Sequence, residues 1–178
     1  MEQKSYNLEI INILTKQKDH ARSIAKKLST NHTNINRKLQ NLMKENVLDF
    51  KLQGKNKIYF LKNTIEAKES IIIAEKYKLL KTLKKYPKLR EIIEKIQKHN
   101  KIELAILFGS YAKNLAKENS DIDIFIKTEN PKIKQELSRI SSKLSIKIGN
   151  LDKANPLVNE IKNNHVIIKG AEQYHEGS

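Results

Sequence analysis

Apolar residues recur at helical spacing in three segments of the first 46 residues, which predicts three helices. Residues 29–31 (Ser-Thr-Asn) are turn and N-cap residues, so they separate the second helix from the third. Two apolar runs around a glycine-containing turn at 53–56 then predict a β-hairpin. The predicted elements are helices over about 6–16, 20–28 and 32–46 and strands over 47–52 and 57–61.

The middle of the chain, residues 63–100, is predicted to be helical. Thr64 can cap a helix whose apolar residues continue to about Lys85. Pro87 interrupts the pattern and can open a second helix over 88–99. A long helix between two modules is typical of a spacer or of a dimer seam, so a homodimer is one of two interpretations.

The last third of the chain alternates strands and helices. Residues 102–108 form a continuous apolar run that predicts a buried strand leading into Gly109-Ser110. A second strand is predicted to include Asp121 and Asp123 and to continue over 122–127. Because these two acids are two residues apart in a strand, we expect both carboxylates on one face. A helix is expected to follow, over 131–143.

The composition excludes several classes of protein. The chain has 178 residues and no cysteine, which excludes disulfide scaffolds, zinc ribbons and thiol nucleophiles. Its apolar runs are only a few residues long, whereas a membrane-spanning helix needs about 20. The first residues are not followed by the apolar stretch of a signal peptide. A cytoplasmic protein is therefore the expectation.

Positive charge is concentrated in the first part of the chain. The net charge is +15, with 35 Lys and Arg against 20 Asp and Glu. Residues 1–62 have a net charge of +8, residues 63–100 of +5 and residues 101–178 of +2. A basic module joined to a nearly neutral one is typical of polyanion binding. A lysine-rich solvated surface is an equally good interpretation of the charge alone.

Three helices, a short turn and a closing hairpin resemble the winged helix-turn-helix family of DNA-binding domains, over about residues 5–62. The resemblance implies that the third helix enters the major groove and the hairpin contacts the backbone or minor groove. Arg and Asn can read base edges, while Lys mostly contacts phosphate. The same pattern also fits a dimerisation or protein-contact module. The implied contacts to duplex DNA are Thr33, Asn34, Arg37, Lys38, Asn41, Lys44, Lys55 and Lys57.

Gly109-Ser110, ten residues, and then Asp121-Ile122-Asp123 follow the predicted buried strand. This run resembles the minimal nucleotidyltransferases of the polymerase-beta type, over about residues 88–170. The resemblance implies a nucleoside triphosphate as substrate or ligand and Mg²⁺ or Mn²⁺ held by the two Asp carboxylates. The implied nucleotide-binding residues are Gly109, Ser110, Lys113 and Asn114. Lys113 keeps a positive charge where Arg is usual, and Asn114 replaces a usual Gly but tolerates a left-handed backbone.

The family places a third carboxylate on a later strand, and the count along this chain puts Lys147 there. Lys cannot serve as a ligand of Mg²⁺ beside two Asp, so two functions stay open. The first is transfer of a nucleotide from a metal–triphosphate to a protein or RNA acceptor, including an antitoxin that acts beside a small helical toxin. The second is a DNA-binding transcriptional regulator that senses nucleotides without turnover.

The expected fold class is α+β. It comprises an N-terminal winged helix, a helical linker and a C-terminal nucleotidyltransferase fold with a small mixed sheet. The expected boundaries are 1–62 for the winged helix, 63–100 for the linker, 101–170 for the nucleotidyltransferase domain and 171–178 for a frayed tail.

Overall fold

The computed structural model describes residues 5–152 and 155–176. The chain divides into two compact units, the first ending at Tyr77 and the second beginning at Lys78. This boundary falls inside one long helix, so the segment predicted as a linker, 63–100, is shared between the units. No helix among the described residues combines the length and the apolar character that crossing a membrane requires.

The first unit contains the predicted three helices and hairpin, together with a two-residue strand that was not predicted. The antiparallel sheet has the order β1-β3-β2, and its hairpin register pairs Leu48 with Leu61 and Gln53 with Asn56. This is the winged-helix arrangement. Its elements are α1 (Tyr6–Leu14), β1 (Asp19–His20), α2 (Ala21–Lys27), α3 (His32–Lys44), β2 (Leu48–Gln53), β3 (Asn56–Leu61) and the first part of α4 (Ile65–Lys85).

Side-chain caps define where these helices begin. The Asn31 side-chain oxygen accepts a hydrogen bond from the Asn34 amide at 2.7 Å, which fixes the start of α3. The Thr64 hydroxyl accepts from the Ala67 amide at 3.3 Å, as expected for the cap of α4. On α3, Ile35 and Leu39 are completely buried, so the opposite face of the helix is available to solvent.

The second unit is a mixed four-stranded sheet with helices. The sheet order is β6-β5-β4-β7; β5 and β6 are parallel, and the other neighbours are antiparallel. The elements are the last part of α4, a 3₁₀ turn (Pro87–Leu89), α5 (Arg90–Lys98), β4 (Ala105–Leu107), α6 (Gly109–Ala112), β5 (Ile122–Lys127), α7 (Pro131–Ser138), β6 (Leu144–Gly149), α8 (Pro156–Asn163), β7 (Val166–Lys169) and α9 (Ala171–Glu176).

Successive side chains of β5 lie on opposite faces of the sheet, which separates the apolar core residues from Asp123. Ile122, Ile124 and Ile126 belong to one buried cluster with the apolar faces of α5 and α7. Asp123 therefore points to the other face of the sheet. Because α5 contributes to this core, the helix predicted as the end of a linker is part of the C-terminal unit.

Three predicted elements differ from the structure. The strand expected over 102–108 is paired only at Ala105–Leu107, although single backbone bonds extend it, from Lys127 N to Leu104 O and from Phe108 N to Asp123 O. The helix expected over 131–143 ends at Ser138, because serines 141 and 142 are weak helix formers.

The predicted frayed tail is the third difference. Residues 171–176 form α9, with Ala171 and Tyr174 buried. The Tyr174 ring packs 4.9 Å from the His165 ring, centroid to centroid. A helix of six residues with two buried side chains shows no clear helical repeat of apolar positions, so the expectation of a frayed tail was wrong. Residues 177–178 of the expected tail lie outside the described residues.

Candidate functional site

The turn from β4 into α6 brings a glycine directly against an aspartate. Gly109 has φ +66°, a left-handed conformation that favours glycine. A Cβ atom at this position would lie 2.4 Å from Asp123 Oδ2. The backbone bond from Phe108 N to Asp123 O, at 3.0 Å, holds the two segments together. Only glycine leaves room for the carboxylate, so Gly109 and Asp123 form one structural unit although 14 positions separate them.

The two aspartates occupy different environments. Asp121 is exposed and directly precedes β5, so it is not inside the strand as predicted, whereas Asp123 is half-buried within it. Burial raises the pKa of Asp123, and the negative charges of Asp121 and Glu160 raise it further. The Ser145 hydrogen bond and the positive charge of Lys147 oppose this rise in pKa without cancelling it. A bound cation would relieve this repulsion.

The strand register shows which residues of β6 lie opposite Asp123 and its neighbours. In the parallel pair of β5 and β6, Asp123 is opposite Ser145, and Lys147 is opposite Phe125. The Ser145 side chain and the positive charge of Lys147 both act to lower the pKa of Asp123. The residue directly opposite Asp123 is therefore Ser145, and the assignment of Lys147 to the family's third acidic position stays a prediction.

Lys113 and Asn114 follow the single-turn helix α6. Asn114 has φ +60°, which agrees with the expectation that Asn replaces Gly in a left-handed position. Lys113 Nζ lies 2.7 Å from Glu160 Oε1, and both side chains are 39% exposed. Glu160 is on α8 and was not predicted as a site residue. It adds a negative charge near Asp123 and neutralises the lysine expected to bind phosphate.

The donor set fits a metal ion that arrives with other ligands. Within residues 5–152 and 155–176, no group of three or more His, Asp or Glu side chains is arranged to hold a metal ion. Mg²⁺ in nucleotide sites is typically held by one or two carboxylates together with substrate phosphates. Asp121 and Asp123 supply oxygen ligands of this kind, and the glycine beside them leaves the approach free of a side chain.

The predicted DNA contacts on α3 lie on its solvent side. Thr33, Arg37, Asn41 and Lys44 are exposed, while Asn34 and Lys38 are half-buried. Asn34 Nδ2 donates to Thr30 Oγ1 at 3.4 Å, so part of its hydrogen-bonding capacity is used within the protein. Arg37 is the exposed residue on this face best suited to a bidentate base contact.

The two lysines predicted in the wing are also exposed. Lys55 lies in the turn of the hairpin, beside Gly54. Lys57 Nζ lies 4.2 Å from the centroid of the Phe50 ring, a cation–π contact that orients the charge along the hairpin. The structure therefore places both charges on the hairpin surface.

Comparison with known proteins gives one family match, and no curated protein matches the chain. Residues 90–173 match the family described as "Polymerase beta, Nucleotidyltransferase". Part of the chain is similar to the transcriptional repressor BigR from Xylella fastidiosa, with 11% identity, coverage of 40% of this chain and 70% of that chain, and a TM-score of 0.37.

Two further solved structures are similar to parts of the chain. The homodimeric winged helix-turn-helix DNA-binding domain Mb0332 from Mycobacterium bovis has 18% identity, coverage of 49% and 75%, and a TM-score of 0.35. A toxin-antitoxin structure with AMP-PNP has 21% identity, coverage of 51% and 77%, and a TM-score of 0.35. These scores are too low to assign a fold, so the winged helix rests on the elements described above. The C-terminal unit of this chain contains a nucleotidyltransferase domain of the polymerase beta family, and its N-terminal unit has a winged-helix fold.

Proposed function

We propose that this chain is a nucleotidyltransferase that transfers a nucleotide from a metal-bound nucleoside triphosphate to a hydroxyl group of a protein or RNA acceptor. The observation that carries the proposal is the contact between Gly109 and the Asp123 carboxylate, in a domain that matches this family. A glycine with no room for a side chain lets phosphate groups approach the backbone beside two carboxylates.

Each residue of the site has a defined part in this reaction. Asp121 and Asp123 would hold the metal, and Ser145, which lies opposite Asp123 on β6, would orient it. Ser110 donates its hydroxyl to phosphate oxygens, and Lys113 offsets their charge after it leaves Glu160. The acceptor oxygen forms a bond to the α-phosphorus, the bond to the β-phosphate oxygen breaks, pyrophosphate leaves and the hydroxyl proton passes to water. The bound Mg²⁺ or Mn²⁺ supplies charge neutralisation for the phosphates.

The winged helix supports a second part of the proposal, which is binding of duplex DNA. Its third helix exposes Arg37 and Asn41, and residues 1–62 have a net charge of +8. Arg and Asn side chains on such a face match the donor and acceptor patterns of base edges in the major groove. A homodimer would present two such helices to a two-fold symmetric site.

A second candidate function is a DNA-binding regulator that binds nucleotides without transferring them. One observation favours it, because β6 has the sequence Leu-Ser-Ile-Lys-Ile-Gly and contains no carboxylate beside Asp123. Two carboxylates are enough to bind the metal that accompanies a triphosphate, while a missing third ligand would slow transfer.

Incubation with each α-labelled triphosphate and Mg²⁺ separates the two functions. The acceptors to compare are the chain itself, tRNA and a small helical toxin, which tests the antitoxin interpretation directly. Label transferred to an acceptor by the wild type supports the enzyme. Nucleotide binding without transfer, together with a change in duplex affinity, supports the regulator.

Two variants sharpen this experiment. Ser145→Asp places a carboxylate opposite Asp123, whereas Lys147→Asp places it opposite Phe125. We expect Ser145→Asp to raise Mn²⁺ affinity and transfer more than Lys147→Asp, because its carboxylate is next to the metal ligands. A larger gain from Lys147→Asp would show that the register does not define the site.

A further inference from the structure

The loop that joins α6 to β5, residues 113–121, carries Asp121 at its end and contains neither helix nor strand. A tight turn shapes its second half. The Ser120 amide donates to Lys117 O at 3.1 Å, and Ser120 Oγ accepts in return from the Lys117 amide at 2.8 Å. These bonds are local, so they do not by themselves determine where the loop lies on the domain.

Three lysines from outside the loop donate to its backbone carbonyls. Lys85 Nζ, at the end of α4, lies 2.8 Å from Asn114 O. Lys88 Nζ, in the 3₁₀ turn, lies 3.2 Å from Glu118 O. Lys143 Nζ, from the residue directly before β6, lies 3.1 Å from the same oxygen. Two ammonium groups from separate elements therefore hold one carbonyl in the middle of the loop.

Lys143 contacts the chain on both sides of Asp121. Its ammonium group donates to Glu118 O, before the aspartate, and its own carbonyl accepts from the Ile122 amide, directly after the aspartate, at 2.8 Å. One residue therefore holds both ends of the segment 118–122. Asp121 lies between these two bonds, exposed and outside the strand, so they limit the positions that its carboxylate can reach.

Lys88 also contacts the turn that contains Gly109 and Ser110. Its Nζ lies 5.5 Å from the centroid of the Tyr111 ring, and Tyr111 is completely buried directly after Ser110. A cation over an aromatic face is attracted by the ring. The Tyr111 ring in turn packs edge-on against Tyr86, with 4.9 Å between the centroids. Lys88 therefore connects the glycine turn to the α6–β5 loop.

The acceptors of these lysines are backbone oxygens. In the part of the chain that the structure describes, Lys85, Lys88 and Lys143 form no ion pair with a carboxylate, although the exposed Glu118 side chain is close by. A bond to a backbone carbonyl fixes the path of the chain rather than one side chain. All three lysines are exposed, so each bond alone contributes modestly, and the two that share one oxygen have to act together.

We propose that Lys88 and Lys143 are positioning residues of the nucleotidyltransferase site, which hold the α6–β5 loop so that Asp121 stands beside Asp123 as a ligand of the metal. The inference rests on the proposed function, because it takes the two aspartates as the ligands of a metal that accompanies a triphosphate. Neither lysine is itself a metal ligand, and each acts through the loop backbone. Lys88 precedes residues 90–173, which match the family, so this contact lies outside the matched segment.

Positioning and charge predict opposite changes in metal affinity. An ammonium group near a cation site repels the cation, so removal of its charge alone should raise the affinity for Mn²⁺. If the lysines hold Asp121 in place, their removal should instead lower this affinity, because the metal loses a pre-organised ligand. The sign of the change therefore separates the two roles.

The test uses the full chain, with Lys88→Met, Lys143→Met and the double variant. Methionine keeps an unbranched side chain but has no N–H to donate, while Lys88→Arg and Lys143→Arg keep N–H donors. The control is Lys117→Met, which removes a charge from the loop itself. The exposed Lys117 side chain forms no hydrogen bond or ion pair with the described residues. Binding of Mn²⁺ in the presence of ATP is measured from the electron paramagnetic resonance signal of free Mn²⁺.

Each single Met variant is expected to weaken Mn²⁺ binding about threefold, the order of one exposed hydrogen bond. The double variant should lose more than the product of the two, because in each single variant the other lysine still holds the Glu118 carbonyl. The Arg variants should bind Mn²⁺ as the wild type does. Lys117→Met should not weaken Mn²⁺ binding, because it removes a charge and no contact to the loop.

Hydrogen exchange of the Ser120 and Ile122 amides measures the loop itself, without metal or nucleotide. Both amides donate to backbone carbonyls, Lys117 O and Lys143 O, which the substitutions leave in place. Faster exchange therefore reports opening of the loop. In the double Met variant both amides should exchange about tenfold faster. The amides of β4 report opening of the sheet and should exchange at the wild-type rate.

Weaker Mn²⁺ binding together with faster exchange in the loop, both restored by Arg, supports the positioning role. If the wild type binds Mn²⁺ and the double variant binds it equally well or more tightly, the positioning role is overturned while the proposed function stands. Wild-type exchange rates of the loop amides in the double variant overturn it as well. If the wild type binds no Mn²⁺ in the presence of ATP, the proposed function fails, and the positioning role fails with it.

Discussion

The two units of this chain carry their candidate residues in different ways. In the winged helix, the predicted contacts lie along one face of α3 and in one hairpin, so local secondary structure alone presents them. In the nucleotidyltransferase domain, Gly109, Asp123, Ser145 and Glu160 come from four separate elements and meet only through the tertiary fold. We therefore expect single substitutions to have smaller effects on the first kind of surface than on the second.

Two glycines make this difference concrete. Gly54 in the wing turn and Gly109 in the β4–α6 turn have nearly the same left-handed φ, +59° and +66°. A Cβ at Gly54 would meet nothing within 4 Å, whereas a Cβ at Gly109 would collide with Asp123. Gly54 is therefore needed only for the backbone conformation. Gly109 is needed for the backbone conformation and also to leave room for the Asp123 carboxylate.

The largest effect is expected for Gly109→Ala. Both this variant and Gly54→Ala pay about 1–2 kcal/mol for a side chain in the left-handed region. Only Gly109→Ala must also displace the Asp123 carboxylate. We expect it to abolish metal-dependent triphosphate binding in calorimetry, while Gly54→Ala leaves that binding intact. Equal nucleotide binding by the two variants would remove the distinction between the units.

The next largest effect is expected for Asp123→Asn. Loss of a metal ligand should weaken metal-dependent triphosphate binding at least about tenfold. Asp49→Asn, the same exchange on the exposed face of the wing, should leave this binding unchanged.

Asp123→Asn should also change the stability of the fold, in a way that depends on pH. The pKa of Asp123 is higher in the folded state than in the unfolded state, where it is about 4. The free energy of unfolding of the wild type should therefore fall as the pH rises between these two pKa values. Without metal, Asp123→Asn should therefore be more stable than the wild type at neutral pH, and this advantage should vanish below about pH 4. Denaturation midpoints at the two pH values measure it, and an advantage that persists in acid would contradict the raised pKa.

A smaller, local effect is expected for Arg37→Ala in the winged helix. If Arg37 reads a base, specific duplex affinity should fall by about 1–3 kcal/mol, and preference at one position of the site should relax. Lys26→Gln, which also removes one positive charge, should reduce affinity slightly and leave the preference unchanged. Loss of affinity without loss of preference would assign Arg37 to phosphate.

Prediction from sequence worked where local pattern determines structure. The strand over 122–127, the buried stripe of α3 and the Thr64 cap follow from alternation, helical spacing and cap chemistry, and the structure has each of them. Gly109 and Asp123 also lie close together in the structure, because a short excursion between antiparallel neighbours returns the chain to the same place.

Prediction failed where position depends on distant packing. The register of β5 and β6 places Ser145 opposite Asp123 and Lys147 opposite Phe125, and it is set by packing across the sheet rather than by the local pattern. Glu160 pairs with a lysine 47 positions away, and nothing in the local pattern around α8 indicates that contact.

The smallest effect is expected for Glu160→Gln, and it tests how the nucleotidyltransferase site is held without nucleotide. Glu160 Oε1 forms an ion pair with Lys113 Nζ at 2.7 Å, and Glu160 adds negative charge where a triphosphate would lie. A pair this exposed contributes about 0–1 kcal/mol, so its removal should tighten ATP binding by a factor of about two to five. The control is Glu91→Gln, which breaks the 2.7 Å pair with Lys95 on α5 and should not change ATP affinity. If Glu160→Gln instead weakens ATP binding, Glu160 is a ligand of the metal–nucleotide complex, and the site gains its third carboxylate from α8 rather than from β6.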